Sequence, residues 1–312
     1  MNSRSTPPPR SGTHRARLAA DRRNVLDVVT LLQHPPDLRR PILLAAFHGW
    51  NDAGEAATGA IDVLARELEA KPFAEVDPEE FFDFQVARPT VRLQEGGGRT
   101  VDWPLNRFSW AALPGNHRHV VLLDGTEPNL RWRTFTRGIL DLAAGLGIDT
   151  VVTLGALQVD VPHTRPVPVT GHATDEKVAT QLGVRRSGYE GPTGITGLLN
   201  HAASTSGLQA MSIWAGVPHY LSGTTYLAGA LALVERVTRL LEVDVPLGQL
   251  AEEAVAQRDE IAELVADDDD LAEYVSELEE RADRSSTTMT GEAVSADELA
   301  AEVERFLRDR DR

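Results

Sequence analysis

The chain has 312 residues, no cysteine and a formal net charge of −16. That length supports one large core, or one core with an appendage, and the lack of cysteine excludes disulfides, thiolate nucleophiles and cysteine metal sites. No apolar run is long enough to span a bilayer, and the N-terminal arginines precede no apolar signal core, so the sequence predicts a cytoplasmic protein.

Residues 1–23 are basic, Pro-rich and poor in apolar side chains, and are expected to be unstructured. Val25 to Leu32 reads as a short amphipathic element stopped by Pro35 and Pro36. Ile42 to Phe47 is the first buried strand and opens into His48-Gly-Trp-Asn-Asp52. The following helix places Ala57, Ala60, Ile61, Leu64 and Leu68 on one face, with Asp52 and Glu55 spaced as a capping box. Phe81 to Leu93 is aromatic and β-branched with Pro89 inside, which predicts an edge or bent strand. Gly96-Gly97-Gly98 predicts a hairpin turn.

His119 to Leu123 is the next buried strand and opens into Asp124-Gly-Thr-Glu-Pro-Asn129. Trp132, Phe135, Ile139, Leu142 and Leu146 mark a helix with Gly147 as its stop. The Val- and Leu-rich run after Asp149 has the character of a strand buried on both faces, and it turns abruptly into Asp160, His163 and Arg165 between Pro162 and Pro166. A short helix is expected over 175–182, and another from Ile195 with Leu198, Leu199 and Ala202 inward. Leu208 to Val217 is the last core strand, ending in Pro218-His-Tyr220, and Leu227 to Leu241 is a helix apolar nearly all round.

Beyond Pro246 the composition changes. Residues 1–241 hold 24 acids and 24 bases, whereas 242–312 hold 23 acids and 7 bases, so the whole net charge sits in the last quarter. Such a block repels nucleic acid and anionic membranes; it reads as a solvated helical face, or as a surface for a basic protein partner. Leu250, Ala254, Ile261, Leu264 and then Leu271, Tyr274, Val275, Leu278 form helical stripes. Residues 285–291 read as a linker, and Ser295 with Glu298 as the capping box of a last helix. The organisation is thus a tail (1–23), an α/β core (24–245) with a mostly parallel sheet flanked by helices, and an acidic helical appendage (246–312).

In a parallel sheet the C-terminal ends of all four strands lie along one edge, where open α/β sheets place ligands. Glu127, Asp160, His163 and His219 are therefore the candidate catalytic groups. Asn51, Asp52, Arg165, Tyr189, Thr193, Gly194 and Tyr220 are the candidate ligand-binding ones. The Gly-Pro-Thr-Gly turn at 191–194 opens a helix, so its free amides and the Thr193 hydroxyl suit an anion, and Arg165 adds a bidentate contact. Each residue also has a structural reading: Asp52 as an N-cap, Glu127 as a cap for the helix after Pro128, His163 and His219 as donors to backbone carbonyls, Asp160 paired with Arg165 across their turn. No two histidines have helical ligand spacing, so no metal is assigned. Walker A, dinucleotide and G-x-S-x-G signatures are absent, so no cofactor is assigned either.

Several runs carry a resemblance: His48-Gly-Trp-Asn-Asp-Ala-Gly54, the Thr-Glu-Pro-Asn segment ending in Trp132, the stretch from Leu154-Gly-Ala-Leu to Asp-Val-Pro-His-Thr-Arg-Pro166, Tyr189-Glu-Gly-Pro-Thr-Gly-Ile195 and Trp214-Ala-Gly-Val-Pro-His-Tyr220. Together, over about residues 41 to 310, they resemble the bacterial branch of the proteasome assembly chaperone 2 family. The resemblance implies a core similar to nucleoside phosphorylases, self-association with a trimer as the candidate oligomer, and a protein partner. It implies no reaction. The chain departs from its relatives at His48, where a carboxylate is usual, and at Ser222–Tyr226, where a Pro-Lys pair is usual. It also ends in Asp309-Arg-Asp-Arg312, without the hydrophobic-tyrosine ending of the proteasome-binding archaeal relatives.

Overall fold

A computed structural model describes residues 28–288 except 95, 116, 174 and 183. The predicted N-terminal tail and the last helix lie outside the described residues.

Four apolar runs become the parallel heart of a nine-stranded sheet: β2 (Ile42–His48), β7 (His119–Thr126), β8 (Thr150–Val159) and β11 (Gln209–Pro218), arranged β7-β2-β8-β11. They are buried on both faces, so alternate residues feed two cores. Leu44, Ala46, Leu122, Val152, Leu154 and Ile213 face one side. There they pack under α1 (Ala56–Glu67) and α5 (Leu227–Leu241). Leu43, Ala45, Phe47, Leu123 and Val151 face the other, under α2 (Trp132–Leu146) and α4 (Ile195–Thr205). Gly147 ends α2 in the left-handed region, as its position predicted.

The flanks of the sheet are antiparallel except for the outermost pair, β9 with β10, and were not predicted. β1 (Val29–Leu31), β3 (Lys71–Val76) and β6 (Asn106–Ala112) extend it beyond β7, while β9 (Val169–Ala173) pairs antiparallel with β11 and carries β10 (Arg185–Arg186). The expected strand over 81–93 is corrected. Only β4 (Thr90–Leu93) is extended, and it pairs with β5 (Arg99–Asp102) in a separate ribbon turning through Gly96 and Gly97, both at positive φ. Phe81 and Phe82 follow a 3₁₀ turn and plug the α2-side core as loop residues.

The short helix α3 (Glu176–Leu182) falls where it was predicted. Two acidic helices close the described chain, α6 (Gly248–Ala266) and α7 (Asp269–Thr288). Leu250, Ile261, Val265 and Val275 join the α1–α5 core, whereas Leu264 is 69% exposed and does not belong to the buried stripe. The linker expected from 285 begins inside α7.

Candidate functional site

The strand ends hold two hydrogen-bonded groups rather than one rim. The first joins the ends of β2 and β7 to α4. The N–H of Glu127 donates to the His48 carbonyl at 2.9 Å, and the N–H of Ile195 donates to Glu127 Oε1 at 2.7 Å. The anion at the start of α4 is therefore the chain's own carboxylate, which satisfies an orphan amide and the helix dipole. This corrects two expectations: the turn does not present this amide for an external anion, and Glu127 caps α4 rather than the helix after Pro128. A Cβ at Gly194 would sit 1.9 Å from Asn51 Oδ1 and 2.7 Å from Glu127 Oε1, so any side chain there would displace one or both of these groups. Thr193 is exposed and donates to the Gly194 carbonyl at 3.4 Å, while the Tyr189 hydroxyl donates to the Pro192 carbonyl at 2.8 Å, local contacts of the turn. Glu127→Ala is expected to lower stability by about 1 kcal/mol, the usual worth of a lost cap, with Glu127→Gln losing less. Urea midpoints at an unchanged m-value check it; equal losses in the two variants would reject the capping role.

Below the same strand ends lies a set of acids. Asp52 is buried and caps α1 across an intervening 3₁₀ turn, accepting from the N–H groups of Ala57 at 2.7 Å and Thr58 at 3.3 Å. Glu55 does not complete a capping box: it takes a left-handed conformation and its carboxylate accepts from the Thr225 hydroxyl at 3.2 Å. The Thr58 hydroxyl donates to Asp52 Oδ2 at 2.5 Å. Its one proton being used, Thr58 Oγ1 accepts from His48 Nδ1 at 3.2 Å. Neutral His48, whose side chain is 45% exposed, thus keeps its lone pair on Nε2.

Burial raises the Asp52 carboxyl, partly offset by its hydrogen bonds to Thr58 and Ala57. Burial also raises Asp62 of α1. It pushes Asp124 to about 6, helped by repulsion from Asp62. Asp124 lies in the body of β7, not in the loop that the sequence suggested. His48, Asp62 and Asp124 were missed as a set. The available signal was an acid directly continuing the apolar run of β7, on the same alternating face as Val120 and Leu122.

The second group joins the loops after β8 and β11 to α7. Asp160 Oδ1 lies 3.1 Å from His219 Nδ1 and accepts from the Tyr274 hydroxyl at 3.2 Å. Arg165 does not pair with Asp160. Its Nε and Nη2 donate to the two oxygens of Asp283 at 2.8 Å each, and Nη1 donates to Glu279 at 3.3 Å. Those bonds raise Arg165 and lower Asp283 from their ordinary values. Thr164 donates to Glu279.

His163 is buried against Tyr220, and the expected bond from His163 to a backbone carbonyl is replaced by this pair. The backbone N–H of His163 donates to the Tyr220 hydroxyl at 2.7 Å, and the same hydroxyl lies 2.8 Å from His163 Nδ1. The other ring nitrogen, Nε2, is buried without a partner. Desolvation lowers the His163 pKa and raises Tyr220 to about 12. His163, His219, Tyr220 and Tyr274 stack edge to face with ring centres 5.3–6.5 Å apart.

So Asp160, His163, Arg165, His219 and Tyr220 come together with the unpredicted Tyr274, Glu279 and Asp283, while Glu127, expected in the same crevice, does not join them. Glu127, Asn51 and Gly194 form their own group, with Asp52 beside them on the α1 side. Among the described residues no three His, Asp or Glu side chains are arranged to hold a metal ion, and no helix is long and apolar enough to cross a membrane.

Residues 46–265 match the PAC2 family. A PAC2 family protein from Streptomyces avermitilis is 45% identical, with a TM-score of 0.70, over 75% of this chain and 99% of its own. A proteasome-assembly chaperone homologue from Mycobacterium tuberculosis is 47% identical, with a TM-score of 0.68, over the same shares. An archaeal proteasome activator from Pyrococcus furiosus shares the fold, with a TM-score of 0.62 at 21% identity over 76% of this chain and 98% of its own. A comparison with curated proteins finds no match.

Proposed function

The chain belongs to the PAC2 family, and from that premise we propose a chaperone-like scaffold that self-associates and binds a protein partner. The name of the M. tuberculosis relative supports this reading. The observation that carries it is the β4–β5 ribbon. It lies outside the main sheet, all its residues are exposed, and Val91 opposes Val101 on a face shared with Leu93. Trp103 packs on Phe84 at its base and is itself exposed. A lone two-stranded hairpin is marginal in water, and an apolar face of this kind marks an interaction surface. A second copy of the chain is the occupant we assign, with a trimer as the candidate oligomer. The acidic C-terminal quarter disfavours nucleic acid and anionic membranes as partners.

Sedimentation of the wild type as an oligomer at micromolar concentration is the expected result. Val91→Asp with Leu93→Asp should shift the oligomer to smaller species with unchanged far-UV circular dichroism. A wild type that sediments as a monomer overturns the reading.

A second reading has Asp160, His163 and His219 acting on a small anionic or nucleoside-like ligand bound through Arg165 and Tyr220, with Glu127, Asn51, Asp52, Tyr189, Thr193 and Gly194 standing apart at the starts of α1 and α4 and taking no part in it. The buried, unpartnered His163 Nε2 favours it. Calorimetric titration with inorganic phosphate tests it: binding weakened by Arg165→Ala supports the reading, and no heat with the wild type rejects it.

A further inference from the structure

We propose that the loop face made by His163, Thr164, Arg165 and His219 is a receptor for an acidic amphipathic helix. It is filled in cis by α7, and it takes the α7 of a second copy in trans. The proposal rests on the self-association reading and supplies it with a second, separable contact.

The receptor and its occupant are both present in the structure. All the receptor groups come from the loops after β8 and β11. The occupant presents Glu279 and Asp283 one turn apart on a helix, beside the buried Val275 and Leu278. Arg165 reads both oxygens of Asp283 as a fork reads a carboxylate, and Thr164 and a third N–H of Arg165 read Glu279. Tyr274 closes the upper end, edge-on to His219 with its hydroxyl on Asp160. The complementarity is thus for an acidic helix with two apolar anchors, and the helix with that chemistry is α7 itself.

The grip suits exchange. The Arg165 and Asp283 side chains are 34% and 58% exposed, so solvent screens them and the pair is individually weak. Val275 and Leu278 are the deeply buried anchors of α7, and most of its other described residues are exposed, which marks an element of low local stability. Beneath it, His163 is 4% exposed and its Nε2 is unmatched by the cis arm. The hinge is short: Asp267 keeps helical dihedrals, and Asp268 accepts from the Leu271 N–H at 3.1 Å to start α7. Rotation at these two residues reorients the whole arm, the geometry by which identical elements are exchanged between copies.

Charge reversal in full-length chains tests the exchange. One chain carries Arg165→Glu; the other carries Glu279→Arg and Asp283→Arg. Each alone has lost its pairing, in cis and with itself. Mixed, the acidic arm of the first meets the intact Arg165 of the second, and the reversed arm of the second meets the reversed site of the first. Capture of one tagged chain by the other is expected to exceed self-capture of either variant by roughly tenfold, a factor within reach of a few recovered ion-pair contacts. A chain carrying all three substitutions restores the cis pairing; unchanged circular dichroism, and capture by the wild type no greater than the self-capture of either variant through the intact hairpin, are expected, and show that folding is not the variable. No mixed complex, from a wild type that still oligomerises, overturns arm exchange alone. A monomeric wild type whose charge-reversed chains do pair overturns the hairpin reading alone.

Discussion

Phe135→Ala is expected to lower the free energy of unfolding by about 4 kcal/mol, toward the upper end for core truncations. Phe135 is fully buried on α2 and packs edge to face on Phe47 at 6.0 Å and Phe81 at 5.4 Å. These three rings hold together segments that the local sequence does not connect. Phe47 is the last apolar residue of β2 before His48. The Phe81 carbonyl accepts from the N–H groups of Asn129 and Leu130 at 2.9 and 3.0 Å, which fixes the loop just after Glu127. Removing the ring leaves a cavity against strands that cannot close, because each is already paired on both sides. The urea midpoint should fall at an unchanged m-value. A loss below about 1.5 kcal/mol, the scale of a volume-conserving swap, would show that the three rings are not what anchors the loop.

The parts of the fold that could be read in advance are those whose physics is local. β2, β7, β8 and β11 are continuous apolar runs because each is covered on both faces, and a run of that kind needs no partner to be recognised. Gly147 marks the end of α2 for the same reason: only the backbone conformation at that position matters. The antiparallel flanks were hidden because their side chains obey neighbours far away in sequence. β3 contains Pro72 at a register shift, and β6 alternates buried Asn106 and Phe108 with exposed Arg107, so neither has a clean period. Phe81 and Phe82 misled in the other direction. Their aromatic character reflects core plugging from a loop, which composition cannot separate from a strand.

The candidate site divides the same way. Strand-end residues were legible as a class, because parallel topology gathers C-terminal tips whatever the details. Their partners were not. Thr164 meets Glu279 across 115 residues and Ile195 meets Glu127 across 68, and neither separation leaves a local trace. Asp160 and Arg165, near neighbours that seemed made for each other, instead face His219 and Asp283.

Asp124→Asn is expected to stabilise the protein at about pH 7.5 by on the order of 2 kcal/mol, with the gain fading toward about pH 4. Burial first, and Asp62 second, push the folded carboxyl from 3.8 to about 6. Between those values the folded state binds more protons than the unfolded chain, so stability falls as pH rises through the window. Above it the folded protein carries a half-buried carboxylate whose Oδ1 accepts no hydrogen bond. Asparagine keeps the shape and removes the charge. Asp52 and Asp62 shift in the same direction, and His163 in the opposite one: its lowered pKa takes away stability as pH falls below its ordinary 6.5. Comparing variant with wild type at each pH cancels all three, apart from the relief of Asp62 and Asp52, which adds to the gain. Chemical unfolding at the two pH values decides it. A loss at the higher pH would mean that Asp124 is held by contacts to its charged form, and that the acids below His48 are a structural network and not a strained one; a gain of equal size at both would mean that the buried charge is not its source.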